Sequence, residues 1–147
     1  MKRFLRCICL VLVMSMLLAI PAFATETIDS RASSFFTKSS VYLCNVSGTS
    51  FEAWFDVTGT GTMDMIGAEF IKIQQSSDDT NWTTVKTFSR STYSSLVDTN
   101  TTVHAAGVSY TATGGYYYRA YIQLYAKKGI NYGTWNRYTS SIYIPAN

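Results

Sequence analysis

Apolar and polar residues alternate along much of the chain after residue 38, and a period of two is typical of a half-buried β-strand. Segment 51–58 shows this most clearly, because its odd-numbered positions from Phe51 to Val57 are apolar while Glu52 and Asp56 lie between them. No stretch repeats its apolar residues with a convincing helical period. The pattern therefore predicts an all-β fold.

Turn-forming residues divide this pattern into seven predicted strands. The strands are 40–46, 51–58, 68–76, 82–89, 102–111, 116–126 and 137–144. Seven such strands favour an antiparallel immunoglobulin-like β-sandwich, and a small closed barrel is the alternative. The predicted core contains Phe55, Val57, Ile71, Ile73, Tyr118, Ala120, Ile122 and Leu124.

The first 24 residues have the three parts of an export signal. Lys2, Arg3 and Arg6 precede an uncharged apolar run at 7–20, and small residues then mark a cleavage site after Ala24. The run is short for a retained membrane anchor, which is the alternative. The predicted organisation is a signal peptide helix at 1–24, a leader at 25–38 and the sandwich domain at 39–147.

Removal of the signal changes the charge and the cysteine content. The whole chain has 12 basic and 9 acidic residues, and the signal contains three of the basic residues and none of the acidic ones. The mature chain is therefore neutral, which argues against binding to nucleic acid or to an anionic membrane. Cys44 is its only cysteine, so an intrachain disulfide is excluded. These features predict a protein secreted by a Gram-positive bacterium, extracellular or associated with the cell wall.

Two segments resemble parts of immunoglobulin-like and fibronectin type III sandwiches. Segment 71–85 resembles a hairpin in which Asp78 bonds the turn amides and Trp82 covers the base. Segment 116–122 resembles the penultimate strand, and the resemblance implies that Tyr116 or Tyr118 forms the tyrosine corner.

The mature chain as a whole also resembles a family of small secreted Firmicutes proteins of unknown function. The resemblance lies in segment 50–63, in the Asp78–Trp82 hairpin and in segment 116–128. It implies secretion by a Gram-positive bacterium and brings no catalytic residues.

Residues that carry out chemistry are few. Cys44 and His104 form the only possible thiol–imidazole pair, and neither lies in a recognisable motif. Glu52 and Asp56 share a strand face about 13 Å apart, too far for a glycosidase pair. One histidine and one cysteine cannot hold a structural zinc ion, and turn hydrogen bonds are favoured over calcium for Asp78 and Asp79. We therefore predict a protein that is not an enzyme and has no metal site and no cofactor.

The remaining candidate site is the polar face of segment 116–126. Its members are Tyr117, Arg119, Tyr121, Gln123 and Tyr125. Phenol rings separated by polar donors suit a cell-surface glycan or a protein partner. Ordinary cross-strand pairing of tyrosines is the competing interpretation. The predicted function is a binding or interaction module, with a carbohydrate-binding module and a secreted antimicrobial or effector protein as alternatives.

Overall fold

The structure, a computed structural model, describes residues 32–146. The predicted export signal lies outside the described residues, as does the first half of the predicted leader, 25–31, while 32–38 forms a short helix and the start of the first strand. Within residues 32–146 the chain forms one short helix and nine strands. They are α1 (Ala32–Phe35), β1 (Phe36–Ser47), β2 (Ser50–Met63), β3 (Met65–Ser76), β4 (Thr83–Ser89), β5 (Val97–Asp98), β6 (Thr101–Thr111), β7 (Tyr116–Lys128), β8 (Asn131–Tyr138) and β9 (Ile142–Ile144).

The strands form two antiparallel sheets that pack against each other. One sheet has the order β1-β2-β6, and the other has the order β4-β3-β7-β8, with β5 paired to β3 and β9 paired to β7. The first, second and sixth strands thus face a sheet built from the third, fourth, seventh and eighth, which is an immunoglobulin-like arrangement. The predicted all-β sandwich is confirmed, and the two separate sheets exclude the closed barrel.

The core lies between the sheets and agrees with the alternation in the sequence. All eight predicted core residues are 0% exposed, including Phe55 on β2 and Ile122 on β7. Tyr118 is one of the largest fully buried side chains and contacts the Phe51 ring at 5.7 Å between ring centres. The inward face of β7 was therefore assigned correctly from its period of two.

Strand boundaries differ from the prediction at several places. β1 begins at Phe36 rather than at 40, and β3 begins at Met65 rather than at 68. β2 continues beyond Thr58 to Met63, although the Gly-Thr repeat was expected to end it. The irregular segment 90–100 contains β5 and a 3₁₀ turn at Ser94–Leu96. The single strand predicted at 137–144 is two strands, because the chain leaves the sheet between Tyr138 and Ile142. β8 itself begins at Asn131, in a tight hairpin with β7. The structure thus has nine strands where seven were predicted.

Tyr118 is the tyrosine corner that the resemblance left open between two residues. Its hydroxyl donates a hydrogen bond to the Thr113 carbonyl oxygen at 2.9 Å and accepts one from the Thr113 N–H at 3.0 Å. The side chain thereby ties the start of β7 to the connection that follows β6.

Asp78 closes the β3–β4 hairpin as the sequence predicted. Its Oδ1 accepts hydrogen bonds from the Thr80 N–H, the Asn81 N–H and the Ser76 hydroxyl, and its Oδ2 accepts one from the Asn81 side-chain amide. Asp79 follows with a φ of 59°, a left-handed conformation that Asp and Asn tolerate. These bonds, led by that from the Asn81 N–H, hold the pKa of the Asp78 carboxyl well below its ordinary value.

Tyr118→Phe tests the tyrosine corner. We expect it to lower the free energy of unfolding by about 1–3 kcal/mol, because both backbone groups of Thr113 lose their partner. Tyr143→Phe is the control, since that side chain is exposed and its hydroxyl has no hydrogen bond within residues 32–146. Urea denaturation of both variants provides the measurement, and equal stabilities would contradict this role of Tyr118.

Asp78→Asn tests the hairpin turn through its pH dependence. A carboxyl with a lowered folded pKa contributes its full stabilisation above its ordinary pKa, and loses it as the pH falls toward the folded value. We therefore expect the variant to melt below the wild type at about pH 7, with a difference that narrows toward about pH 3. Asp79→Asn removes the same charge one residue later and should melt like the wild type. A pH-independent gap for Asp78→Asn would contradict the electrostatic explanation.

Candidate ligand-binding face

The five predicted site residues lie together on the outer face of the larger sheet. Alternation along β7 directs them away from the core, and the paired strands add the side chains that lie directly opposite them. We call this surface the tyrosine face. It consists of the five predicted residues, Phe70, Lys72 and Gln74 on β3, Tyr132, Thr134, Asn136 and Tyr138 on β8, Tyr143 on β9, and Trp82 before β4.

The tyrosines of β7 are not the most exposed rings of this face. Tyr117 and Tyr121 are half-buried, and Tyr125 is only 8% exposed. The edge strands carry the accessible rings, since Tyr132, Tyr138 and Tyr143 are 64%, 54% and 53% exposed. The sequence reasoning did not include these three residues. The period of two from Tyr132 through Thr134 and Asn136 to Tyr138 was the signal that identifies β8.

Each β7 tyrosine packs against one of the exposed rings on the neighbouring strand. Tyr121 stacks on Tyr138 with ring centres 4.8 Å apart and an interplanar angle of 20°. Tyr125 stacks on Tyr132 at 6.0 Å, and Tyr117 meets Tyr143 at 5.0 Å in a tilted arrangement. Cross-strand aromatic pairs of this kind stabilise a sheet. They also hold the exposed rings in defined orientations.

Arg119 occupies the middle of the tyrosine face in a fixed position. Its guanidinium lies 4.3 Å from the centre of the Trp82 ring and 4.6 Å from that of Tyr138. Its Nε donates a hydrogen bond to Gln74 Oε1 at 2.8 Å. Two cation–π contacts and one hydrogen bond therefore orient the group, and its terminal N–H groups have no partner within residues 32–146.

The other charged groups of the face have different surroundings. Lys72 Nζ lies 4.7 Å from the centre of the Phe70 ring and has no carboxylate partner in the described chain. Arg90 is ion-paired with Glu69 at 2.8 Å and lies over the Tyr125 ring at 4.2 Å. Beside this ion pair is an open cavity of about 430 Å³, lined also by Gln123, Tyr132 and Thr134. Burial raises the pKa of the Tyr121 phenol, so that ring remains uncharged at neutral pH.

Cys44 and His104 do not form a catalytic pair. Cys44 lies opposite Glu52 on the outer face of the smaller sheet, whereas His104 lies opposite Val57 on the inner face. His104 Nε2 is 3.0 Å from the Ser95 carbonyl oxygen. Burial, followed by the nearby Glu52 carboxylate, raises the pKa of the Cys44 thiol.

The carboxylates of the smaller sheet are those of Glu52 and Asp56, and the contacts of Glu52 are structural. Glu52 accepts hydrogen bonds from the Trp54 indole N–H at 2.8 Å and from the Ser109 hydroxyl at 3.4 Å. Asp56 lies on the same outer face, four residues further along β2. Within residues 32–146, no three side chains of His, Cys, Asp or Glu come together in a group that could hold a metal ion.

The chain matches no protein-family model, no curated protein and no solved structure. The resemblance to a secreted Firmicutes family therefore stays a prediction. Among the helices of residues 32–146, none has the length and apolar character needed to cross a membrane.

Alkylation of Cys44 tests whether this thiol is activated. Its raised pKa predicts slow reaction with iodoacetamide near pH 7, slower than that of a cysteine peptide, and a rate that rises toward about pH 9. His104→Ala should leave this profile unchanged, because the two side chains lie on opposite faces of the sheet. Mass spectrometry of the purified protein gives the rate. Fast alkylation below pH 7 that His104→Ala abolishes would contradict this assignment.

Proposed function

We propose that the chain is a secreted, non-enzymatic binding module of a Gram-positive bacterium, and that it binds its ligand on the tyrosine face. The export features of residues 1–24 and the single cysteine of the mature chain support the location. The opposite orientations of Cys44 and His104 support a role in binding rather than catalysis.

The observation that carries the proposal is the row of exposed rings held by the tyrosines of β7. Tyr132 and Tyr138 lie six residues apart on β8, about 20 Å at ~3.3 Å per residue, so together they suit an extended ligand. Between them Asn136 accepts a hydrogen bond from the Gln123 amide at 3.0 Å. Flat rings interleaved with amides fit a polysaccharide, whose ring faces stack on tyrosine while its hydroxyls bond polar groups. The ligand class we propose is therefore a cell-surface glycan.

Tyr138→Ala tests this function on a glycan array. We expect the secreted protein to bind a subset of polysaccharides and the variant to bind them about tenfold more weakly, because the stacking surface is lost. Tyr42→Ala is the matched control, since that ring is 44% exposed on the opposite side of the sandwich. It should bind like the wild type.

A sizing column run beside the array separates glycan binding from self-association. The glycan proposal expects a monomer whose elution Tyr138→Ala does not change. A dimer that Tyr138→Ala dissociates, together with no bound glycan, would assign the face to protein association instead.

A further inference from the structure

Charge is distributed unevenly over the two outer faces of the sandwich. The smaller sheet directs Glu52, Asp56 and Lys38 outward, whereas the tyrosine face carries Lys72 and Arg119, with Lys127 opposite Tyr132 at its far end. The one ion pair in the described chain joins Arg90 and Glu69, so Lys72 and Arg119 are left without a carboxylate partner there. The surface where the exposed rings lie thus presents three cations without a carboxylate partner in the described chain, namely Lys72, Arg119 and Lys127.

Lys72 and Arg119 are neighbours on the sheet. Lys72 is paired with Tyr121 and Gln74 is paired with Arg119, which makes Lys72 and Arg119 diagonal neighbours across β3 and β7. Diagonal positions are about 7–8 Å apart between Cα atoms, within the reach of long side chains. Both side chains are therefore long enough to reach one anionic group beside the stacked rings of Tyr121 and Tyr138, which requires Lys72 to turn from the Phe70 ring toward Arg119.

Arg119 is held in position before any ligand arrives. The Trp82 and Tyr138 rings and the bond to Gln74 restrict the guanidinium, so binding costs little further side-chain entropy. Its terminal N–H groups form the planar fork that matches a carboxylate or a phosphate with two parallel hydrogen bonds. A neutral hydroxyl group of a ligand neither matches the two parallel hydrogen bonds of the guanidinium nor neutralises its charge.

We infer that the ligand of the tyrosine face is an acidic glycan, in which a sugar ring stacks on Tyr138 and an attached carboxylate or phosphate binds Arg119 and Lys72. This inference rests on the proposed function and narrows its ligand class. Arg119 contacts the Tyr138 ring itself, so the anion site and the stacking site are adjacent and a single acidic sugar residue fills both.

The experiment compares probes that differ only in charge. Titration calorimetry of the secreted protein uses an oligogalacturonate, its methyl ester, a phosphomannan and an unphosphorylated mannan. We expect at least one acidic probe to bind about tenfold more tightly than its neutral counterpart at low salt, with the advantage shrinking as salt is added. Preference for the oligogalacturonate would assign a carboxylate, and preference for the phosphomannan a phosphate.

Charge-removing variants locate the site. Arg119→Gln and Lys72→Gln should each reduce the affinity for the acidic probe toward that for the neutral one, while circular dichroism shows that both variants remain folded. Lys38→Gln removes an exposed lysine from the smaller sheet and is the matched control.

The outcomes separate this inference from the function on which it rests. Equal affinity for acidic and neutral probes, with binding still lost in Tyr138→Ala, would overturn the acidic ligand and leave the glycan function standing. Polyglutamate binding as tightly as the acidic glycan would show that no sugar ring is needed and would overturn the inference. Absence of binding to every saccharide would overturn both.

Discussion

The bonds between the Tyr118 hydroxyl and the Thr113 backbone anchor β7, and both faces of the larger sheet depend on how β7 is placed. A shift of one residue in a β-strand reverses every side chain. Such a shift would expose Ile122 and bury Arg119. Burial of the Tyr118 ring against Phe51 adds an apolar reason for the same register. The core and the tyrosine face are therefore two consequences of one constraint.

The edge strands β8 and β9 carry the accessible aromatic rings, which pack against the less exposed rings of β7. Tyr121 and Tyr125 are covered by their neighbours and serve as supports, while Tyr138 and Tyr132 remain open to solvent. An exposed tyrosine on a flat sheet is ordinarily free to change rotamer, and stacking on a supporting ring restricts that freedom. Arg119 gains the same restriction from Trp82, which the β3–β4 hairpin brings to the sheet. These contacts order the rings and the guanidinium of the tyrosine face in the absence of any ligand.

The sandwich and its core could be predicted from the sequence because apolar and polar residues alternate regularly along β2 and β7. Most of β8 was not predicted, because its inward positions are Gly133, Trp135 and Arg137, and these residues do not form an apolar face. Arg137 is accommodated there by lying 3.6 Å from the centre of the Trp135 ring and by donating to the Ser39 hydroxyl. These contacts of Arg137 depend on side chains of β8 itself and of β1, and no pattern within 131–138 predicts them. The contact between Trp82 and Arg119 likewise depends on strand order, which spacing along the chain does not determine.

Cleavage of the predicted signal would leave a chain with no net charge. Such a chain is compatible with a local excess of cations on the tyrosine face, because charges are screened at physiological ionic strength. The two sheets pack about 10 Å apart, and their outward side chains extend the separation of the two faces beyond that distance. The Debye length at physiological ionic strength is about 8 Å, so Glu52 and Asp56 do little to cancel the potential at Lys72 and Arg119. Net charge governs long-range attraction to polyanions, and a net charge of zero provides none. Under the proposed function the ligand is therefore recognised at contact, where the orientation of Arg119 beside the Tyr138 ring decides which anions fit.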